Sequence, residues 1–266
     1  MIRTPLQTMK QGGDNMLDVV VPVYNEGANI QNFLNQIESS VKTEKRLTII
    51  YDCEDDNTLP VVNEVRLKYN FPILLKKNIY GRGALNAIKT GLHTFEGKVV
   101  LVLMADLSDS LEVVDEMYDK IVKEGNHLVC GSRYMEGGKQ YGGPFIKKTL
   151  SRLAGVSLHW AVGIPTHDIS NSFKMYHKAV IESIQIESTG GFEIGMEITV
   201  KAYLNGYRIT EVPSSWYDRT AGESRFLLFR WLPFYLKWYL FALCKIWFNV
   251  KYVQVQQNKG KNVIPK

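Results

Sequence analysis

Short aliphatic runs that end in polar, acid-bearing turns and then give way to helical patterns restrict this chain's fold more than any other feature. Leu17 to Val23 is such a run, closed by a turn carrying Tyr24, Asn25 and Glu26 and followed by a helical pattern from Asn29 to Ile37. Leu47 to Tyr51 repeats the grammar, with Asp52 at its end and a helix around Val61 to Lys68. Ile73 to Lys76 leads through Gly81 and Gly83 into a further helix, and the apolar run Val99 to Met104 empties into Asp106, Ser108 and Asp109. Strands alternating with helices specify parallel βαβ units, with right-handed crossovers and a sheet covered on both faces. The expected fold class is therefore α/β, a mostly parallel central sheet flanked by helices.

A chain of 266 residues suffices for one large domain of this kind with a short appendage. The main α/β domain is expected over residues 17–225, with flexible tails at 1–16 and 253–266 and a distinct helical segment at 226–252. The opening residues lack the apolar core that secretion requires, and three cysteines (Cys53, Cys130, Cys244) without metal-like spacing point to a reducing compartment. The net charge of +5 is modest and its cations are spread out until the carboxyl-terminal part, so no nucleic-acid partner is expected. Anionic small molecules or lipid headgroups suit this balance better.

Each strand end has a chemical and a structural reading. In open α/β sheets ligands bind at the carboxyl ends of the strands, and paired carboxylates there suit Mg²⁺ or Mn²⁺ holding a diphosphate. Asp106, Ser108 and Asp109 fit that description, and they fit equally a polar turn that caps the next helix. Asp52 is read as a nucleotide contact, Asp55 and Asp56 stay open between contact and solvated acid, and Gly81 and Gly83 read as turn residues rather than a phosphate loop. Asp168 has three readings: a general base for a hydroxyl acceptor, an orienting partner for an Arg, or an Asx turn. Glu193 and Glu197, four positions apart, share a helix face, and one of them is assigned to the acceptor side. His167 is expected to make structural hydrogen bonds.

Beyond Phe226 the composition shifts to a dense aromatic run punctuated by Arg230, Lys237 and Lys245. At about 100° per residue these cations share a narrow arc. No stretch reaches the roughly 20 apolar residues of a membrane span, and Pro233 is expected to kink or divide the helix. One or two interfacial helices on an anionic membrane face are expected, the alternative being helices packed on the catalytic domain or a second subunit.

Five segments, VVVPVYNEGANI, MADLSDS, GSRYMEGG, DISNSFKMY and EVPSSWYDRTAGESRF, occur in the order seen in family-2 inverting glycosyltransferases. Taken together they resemble the dolichyl- and polyprenyl-phosphate mannose synthases over roughly Leu17 to Phe226. The resemblance implies a GT-A fold. It implies Pro22, Tyr24, Asn25 and Glu26 at the donor nucleotide with Asp52 beside its base or ribose, and a divalent ion, Mg²⁺ or Mn²⁺, at Asp106. Met104 stands where the family has its first acid, so Asp109 or the Ser108 hydroxyl would have to complete the metal site. Asp52-Cys53-Glu54 likewise departs from the family's acid-Gly-Ser. On the acceptor side it implies Arg133, Lys147 (where the family commonly has Arg), Ser151, Arg219 and Arg225. The catalytic set is thus expected to be Asp106, Arg133, Asp168 and Arg219.

The expected function is metal-dependent transfer of a hexose, mannose from GDP-mannose, to a polyprenyl phosphate by a protein peripheral to the cytoplasmic face of the membrane, with a membrane-anchored partner subunit as a further expectation. Two alternatives stand beside it: transfer to a sugar hydroxyl in glycan assembly, and a catalytically silent nucleotide-sugar-binding scaffold.

Overall fold

The structure, a computed structural model, describes residues 16–218 and 228–247. The expected tail at 253–266, and the tail at 1–16 apart from Met16, lie outside the described residues. In chain order the elements are β1 (Leu17–Pro22), α1 (Ile30–Ser40), β2 (Lys45–Tyr51), α2 (Thr58–Val65), β3 (Ile73–Lys77), α3 (Ala84–Thr94), β4 (Val99–Val102), α4 (Val114–Val122) and β5 (Leu128–Ser132). There follow β6 (Lys139–Tyr141), α5 (Phe145–Val162), β7 (Lys174–His177), α6 (Lys178–Ser183), α7 (Ile194–Leu204), β8 (Ile209–Pro213), β9 (Ser215–Tyr217) and α8 (Leu228–Trp247).

Seven strands form the central sheet in the order β3-β2-β1-β4-β7-β5-β8. β1, β2, β3 and β4 pair in parallel, as do β5 and β8, whereas β7 runs antiparallel to both β4 and β5. This strand is the departure from a purely parallel grammar. Its cause lies in the preceding chain: α5 stops at Gly163, left-handed at φ 76°, and a turn-rich connection to Phe173 delivers β7 from the opposite end of the sheet. β4 is also shorter than the apolar run implies, since its ladder ends at Val102 although the Leu103 amide still donates to the Val20 carbonyl at 3.0 Å.

The period-2 alternation of the strands sorts their side chains into two cores. Leu17, Val19 and Val21 of β1 pack with Phe33 and Ile37 of α1, Val62 of α2 and Met117 of α4. Val20 faces the other way, toward Leu85 and Ile88 of α3 and Ile198 of α7. Each such fully buried side chain stabilises the fold by about 1.5–3 kcal/mol. The approach of α3 is close enough to require Gly91, where an added Cβ would lie 2.1 Å from Val20 Cγ1.

A third apolar cluster joins Leu158 and Val162 of α5, Met196 and Val200 of α7, and Trp238 and Ala242 of α8 with Ile164 and Ile169 of the connection after α5. The aromatic carboxyl-terminal run is one helix, uninterrupted at Pro233. That proline stands early in the helix, so its missing N–H removes a single backbone bond, and packing against α5 and α7 holds the rest. No helix among the described residues is long and apolar enough to cross a membrane.

Candidate active site

Because β7 is reversed, the carboxyl ends of β4 and β5 and the amino end of β7 meet at one edge of the sheet. The ends of β1, β2 and β8 lie along the same edge. The turns after β1, β2, β4 and β5 and the segment before β7 therefore lie along one edge, and Arg219 and Arg225 lie outside the described residues.

After β4 the chain turns sharply through Leu107, whose φ of 58° is unusual for a branched residue. The turn lets the Ser108 amide donate to Asp106 Oδ1 at 3.1 Å and seats Asp109 in a bridge with Trp216. The Tyr217 amide donates to the Ser108 carbonyl at 2.8 Å, and the Ser110 amide to the Ser215 carbonyl at 3.0 Å, which fastens the loop to β9. Asp109 is buried, and that burial, reinforced by the neighbouring charge of Asp106, pushes its pKa up to about 7. Its Oδ1 and the Ser108 hydroxyl are buried atoms without a hydrogen-bond partner. Oxygen atoms in this state suit a hard divalent cation. Among the described residues no three His, Cys, Asp or Glu side chains cluster as a complete metal cage. A cation here would therefore take few protein ligands and rely on phosphate oxygens and water, which is how Mg²⁺ is ordinarily held beside a nucleotide. Met104, half-buried at the start of the loop, offers only a soft thioether.

On the donor side, Asn25 sits left-handed at φ 56° in the loop after β1. A buried acid that the sequence left open holds it there. Asp56 accepts the Asn25 amide at 3.1 Å, the Thr58 amide at 2.8 Å and the Thr58 hydroxyl at 2.5 Å, so one carboxylate ties the first strand loop to the start of α2. The Glu26 amide donates to Thr58 Oγ1 at 2.9 Å, and Glu26 Oε2 accepts from Asn29 Nδ2 at 2.9 Å. Gly27 is needed because a Cβ would lie 2.6 Å from the Asn57 carbonyl oxygen. Pro22 closes β1, and Tyr24 is exposed on the loop. Asp52 is engaged by Asn78 Nδ2 and the Gly83 amide, both at 2.9 Å, so its carboxylate shapes the turn into α3 at the point where a nucleotide base or ribose is expected.

Arg133 follows directly after β5 and is gripped by Asp168. The Asp168 carboxylate accepts Arg133 Nε at 2.6 Å, Nη2 at 2.9 Å and the backbone amide at 3.1 Å. Burial works against the guanidinium charge, but the carboxylate outweighs it and holds the Arg133 pKa above its ordinary value. Burial likewise opposes ionisation of Asp168, and Arg133 overcomes it, leaving Asp168 below the usual carboxylate range. With 0% exposure and its oxygens taken by Arg133 and the Asn171 amide, Asp168 is the orienting partner of an Arg and is not open to a substrate proton. This corrects its placement among the catalytic groups. Arg133 Nη2 also reaches Ser151 Oγ at 3.1 Å, and Tyr134 donates to the same hydroxyl at 3.0 Å. Arg133 lines a cavity of about 240 Å³ together with Tyr134, Lys139, Gln140, Lys148 and Arg152. Four cations thus line this space, and among the described residues no acidic side chain lines it. Lys147, the expected phosphate ligand on α5, is not among the residues lining this cavity. Its neighbour Lys148 is, with Arg152 one helical turn on, and sequence reasoning passed over both.

Glu193 and Glu197 are both engaged by backbone amides, which differs from the acceptor contact expected of one of them. Both are 0% exposed: Glu193 accepts the Gly190 and Gly191 amides, and Glu197 accepts those of Glu187 (2.6 Å) and Ser188 (2.8 Å) and pairs with Lys201 at 2.6 Å. They pin the loop before α7. His167 has the structural role expected of it, Nδ1 lying 2.5 Å from Glu211 Oε1. Lys174 is a further missed residue: buried in β7, it donates to the Ile169 carbonyl at 2.9 Å and to that of Asn171, fixing the segment that carries Asp168.

A mostly parallel sheet with one reversed strand and an acidic loop at its carboxyl edge places the chain in the GT-A class of folds. Residues 18–185 match the pattern of Glycosyl transferase family 2, and the chain belongs to that family. It is 28% identical over 214 residues to the dolichol-phosphate mannosyltransferase of Pyrococcus furiosus, an alignment covering 79% of this chain and 58% of that protein. The chain thus spans less than two thirds of that relative's length. It is also 28% identical over 214 residues to the polyprenol monophosphomannose synthase of Mycolicibacterium smegmatis, covering 78% of this chain and 79% of the relative. In structure it is similar to glucosyl-3-phosphoglycerate synthase from Mycobacterium tuberculosis, determined with Mn²⁺, uridine diphosphate and glucosyl-3-phosphoglycerate. That likeness has a TM-score of 0.61 at 14% identity and covers 87% of this chain and 79% of that one, which shows the fold.

Proposed function

We propose that this protein transfers a hexose, mannose from GDP-mannose, to a polyprenyl phosphate. The observation that carries the reading is the buried Arg133–Asp168 fork at a four-cation cavity, close enough to the acidic loop for Arg133 and Asp109 to influence each other's ionisation. Such an edge suits two anions that must meet. The names of the two relatives supply the lipid-phosphate acceptor and the mannosyl group as the choice among possible pairs.

On this reading the loop of Asn25 and Glu26, fixed by Asp56, receives the nucleoside, with Asp52 shaping the pocket floor at α3. Asp106, Asp109 and the Ser108 hydroxyl would hold a Mg²⁺ or Mn²⁺ ion. Such an ion, when bound, offsets the negative charge that grows on the departing diphosphate. The acceptor phosphate is already an oxyanion, so no general base is required of the chain. Arg133 binds and orients it through charge-assisted hydrogen bonds, each worth about 1.5–3 kcal/mol net. Asp168 keeps the guanidinium fork fixed, and Lys148 and Arg152 draw the anion in. Arg219 and Arg225 would add cations from beyond the described residues.

The reading also sets the protein against a membrane surface. On α8, Trp238 and Ala242 face the protein while Leu236, Leu240 and Trp247 are exposed. On α5, Phe145, Ile146, Leu153 and Trp160 are exposed. Neither helix contains an acidic residue, and the two together carry Lys147, Lys148, Arg152, Arg230, Lys237 and Lys245. Trp247 Nε1 reaches the carbonyl of Ala161, next in sequence to the exposed Trp160 near the end of α5. Tryptophan beside cations is the composition of a headgroup-facing surface.

The test incubates the purified protein with labelled GDP-mannose, Mn²⁺ and a short-chain polyprenyl phosphate and partitions the product into organic solvent. Label in the organic phase that is lost in Asp106→Asn supports the reading. Label remaining in water with every lipid phosphate offered overturns it.

A further inference from the structure

Beyond the main sheet, β6 and β9 form a separate two-stranded ribbon in which Tyr141 is the register partner of Tyr217. The two rings stack with centroids 4.9 Å apart and planes 9° from parallel, yet they are 46% and 50% exposed. A three-residue parallel ribbon has little stability of its own, and it sits between the two halves of the site. Tyr217 is tied through its amide to the Ser108 carbonyl of the acidic loop. Lys139, two positions before Tyr141 and so on the same face of the strand, lines the cationic cavity. From Tyr141 the chain runs through Gly142, Gly143 and Pro144 to Phe145, and exposed apolar residues continue along α5 at Ile146, Leu150, Leu153 and Trp160. Positions 146, 150, 153 and 160 fall on one helical stripe.

We propose that the stacked Tyr141 and Tyr217 form a subsite for the first isoprene units of the acceptor, next to the phosphate held in the Arg133 cavity, and that the stripe beginning at Ile146 leads the remaining chain away along α5. The assignment rests on the lipid-phosphate reading given above. An anion joined directly to a branched hydrocarbon needs a cationic pocket that opens onto an apolar one, and a tyrosine stack supplies the second with hydroxyls tolerant of the wet boundary. After Tyr141 the exposed large apolar residues are hydrocarbon and indole, and Arg152, the exposed cation among them, lines the phosphate cavity.

The experiment measures binding by calorimetry, without donor, of phosphates bearing one, two or three isoprene units to the full-length protein and to Tyr141→Ala, Tyr217→Ala and the two Phe variants. Affinity of the unaltered protein should rise about tenfold from one unit to three, and the Ala variants should flatten that gradient while binding the one-unit phosphate nearly unchanged. The Phe variants should retain it, which separates ring contact from a loss of folding. A gradient unaltered in the Ala variants, an equal loss for all three phosphates, or no gradient in the parent protein each overturns the subsite. The transfer assay is scored apart. Product formed with no tyrosine dependence leaves the reaction standing without the subsite, and a tyrosine-dependent gradient with no product leaves the subsite standing without the reaction.

Discussion

At Asp168 a single charge decides how Arg133 is presented. The pair is buried on both sides, and removing one member of such a pair leaves the other uncompensated, a loss of about 3–5 kcal/mol. Asp168→Asn is therefore expected to lower the unfolding free energy by that order in urea titration. In the proposed reaction it should also raise the KM for the lipid phosphate at least tenfold while leaving that for GDP-mannose nearly unchanged. Were Asp168 a general base, the dominant effect would fall on kcat instead. Arg133 was legible in the sequence because GSRYMEGG resembles a family segment. Its partner, 35 positions away, was legible only as one of three readings, since the contact depends on the direction of β7. Glu193 and Glu197 misled for a related reason: acids on a helix read as chemistry until the loop amides they cap are known.

Among the elements, the strand ends are shaped by acids that bind backbone. Asp56→Ala should cost about 2–3 kcal/mol, because the Asn25 and Thr58 amides lose their acceptor in a largely buried place. Calorimetric melting and the KM for the nucleotide sugar would report it together. Asp115 of α4 holds the turn before β2 in the same manner, accepting the Lys42 amide at 2.9 Å, the Thr43 amide at 2.8 Å and the Thr43 hydroxyl at 2.7 Å. Burial would push its pKa up, but these donors, the Thr43 amide foremost, prevail and hold it below the ordinary value. The stability it contributes is fully present above the unfolded pKa of about 3.9 and is lost as pH falls through the lower folded one. Stability measured between about pH 2 and pH 6 should thus fall less steeply in Asp115→Asn than in the parent. The strands β1 to β4 were legible because each is a compact aliphatic run. β7, with its sequence Lys-Met-Tyr-His, has too little pattern to announce a strand, and the three-residue β6 and β9 have none. The continuous α8 escaped because Pro233 argues locally for a break that tertiary packing overrides.

For the whole molecule, the pairing of α5 with α8 sets which membrane experiment is informative. Trp238 is buried against Ser188 and Lys201, so deleting the carboxyl-terminal segment should unfold the α5–α7–α8 cluster and say nothing about lipid. Leu153→Asp with Trp160→Asp changes only exposed positions and should leave the melting temperature nearly unaltered. Flotation with vesicles rich in anionic lipid should then drop severalfold, and the binding of the parent should weaken as salt rises. Flotation unchanged by the double substitution would set this surface aside. The sequence pointed to α8 alone, since α5 is interleaved with Ser, Thr and Gly and its apolar stripe becomes visible only as exposure.

The reversed strand also imposes an order of assembly during synthesis. Leu17 to Val102 contains all the strands of the β3-β2-β1-β4 block, and each joins a strand already made or made soon after. β5 has no contact with β4 in the ladder and can join the sheet only through β7. Until residue 177 has left the ribosome, a growing chain therefore holds the β3-β2-β1-β4 block without β5 and the Arg133 that follows it. The arginine that would grasp an acceptor is fixed only once β7 has been made, just after the Asp168 that restrains it, and β8 is added to β5 later still.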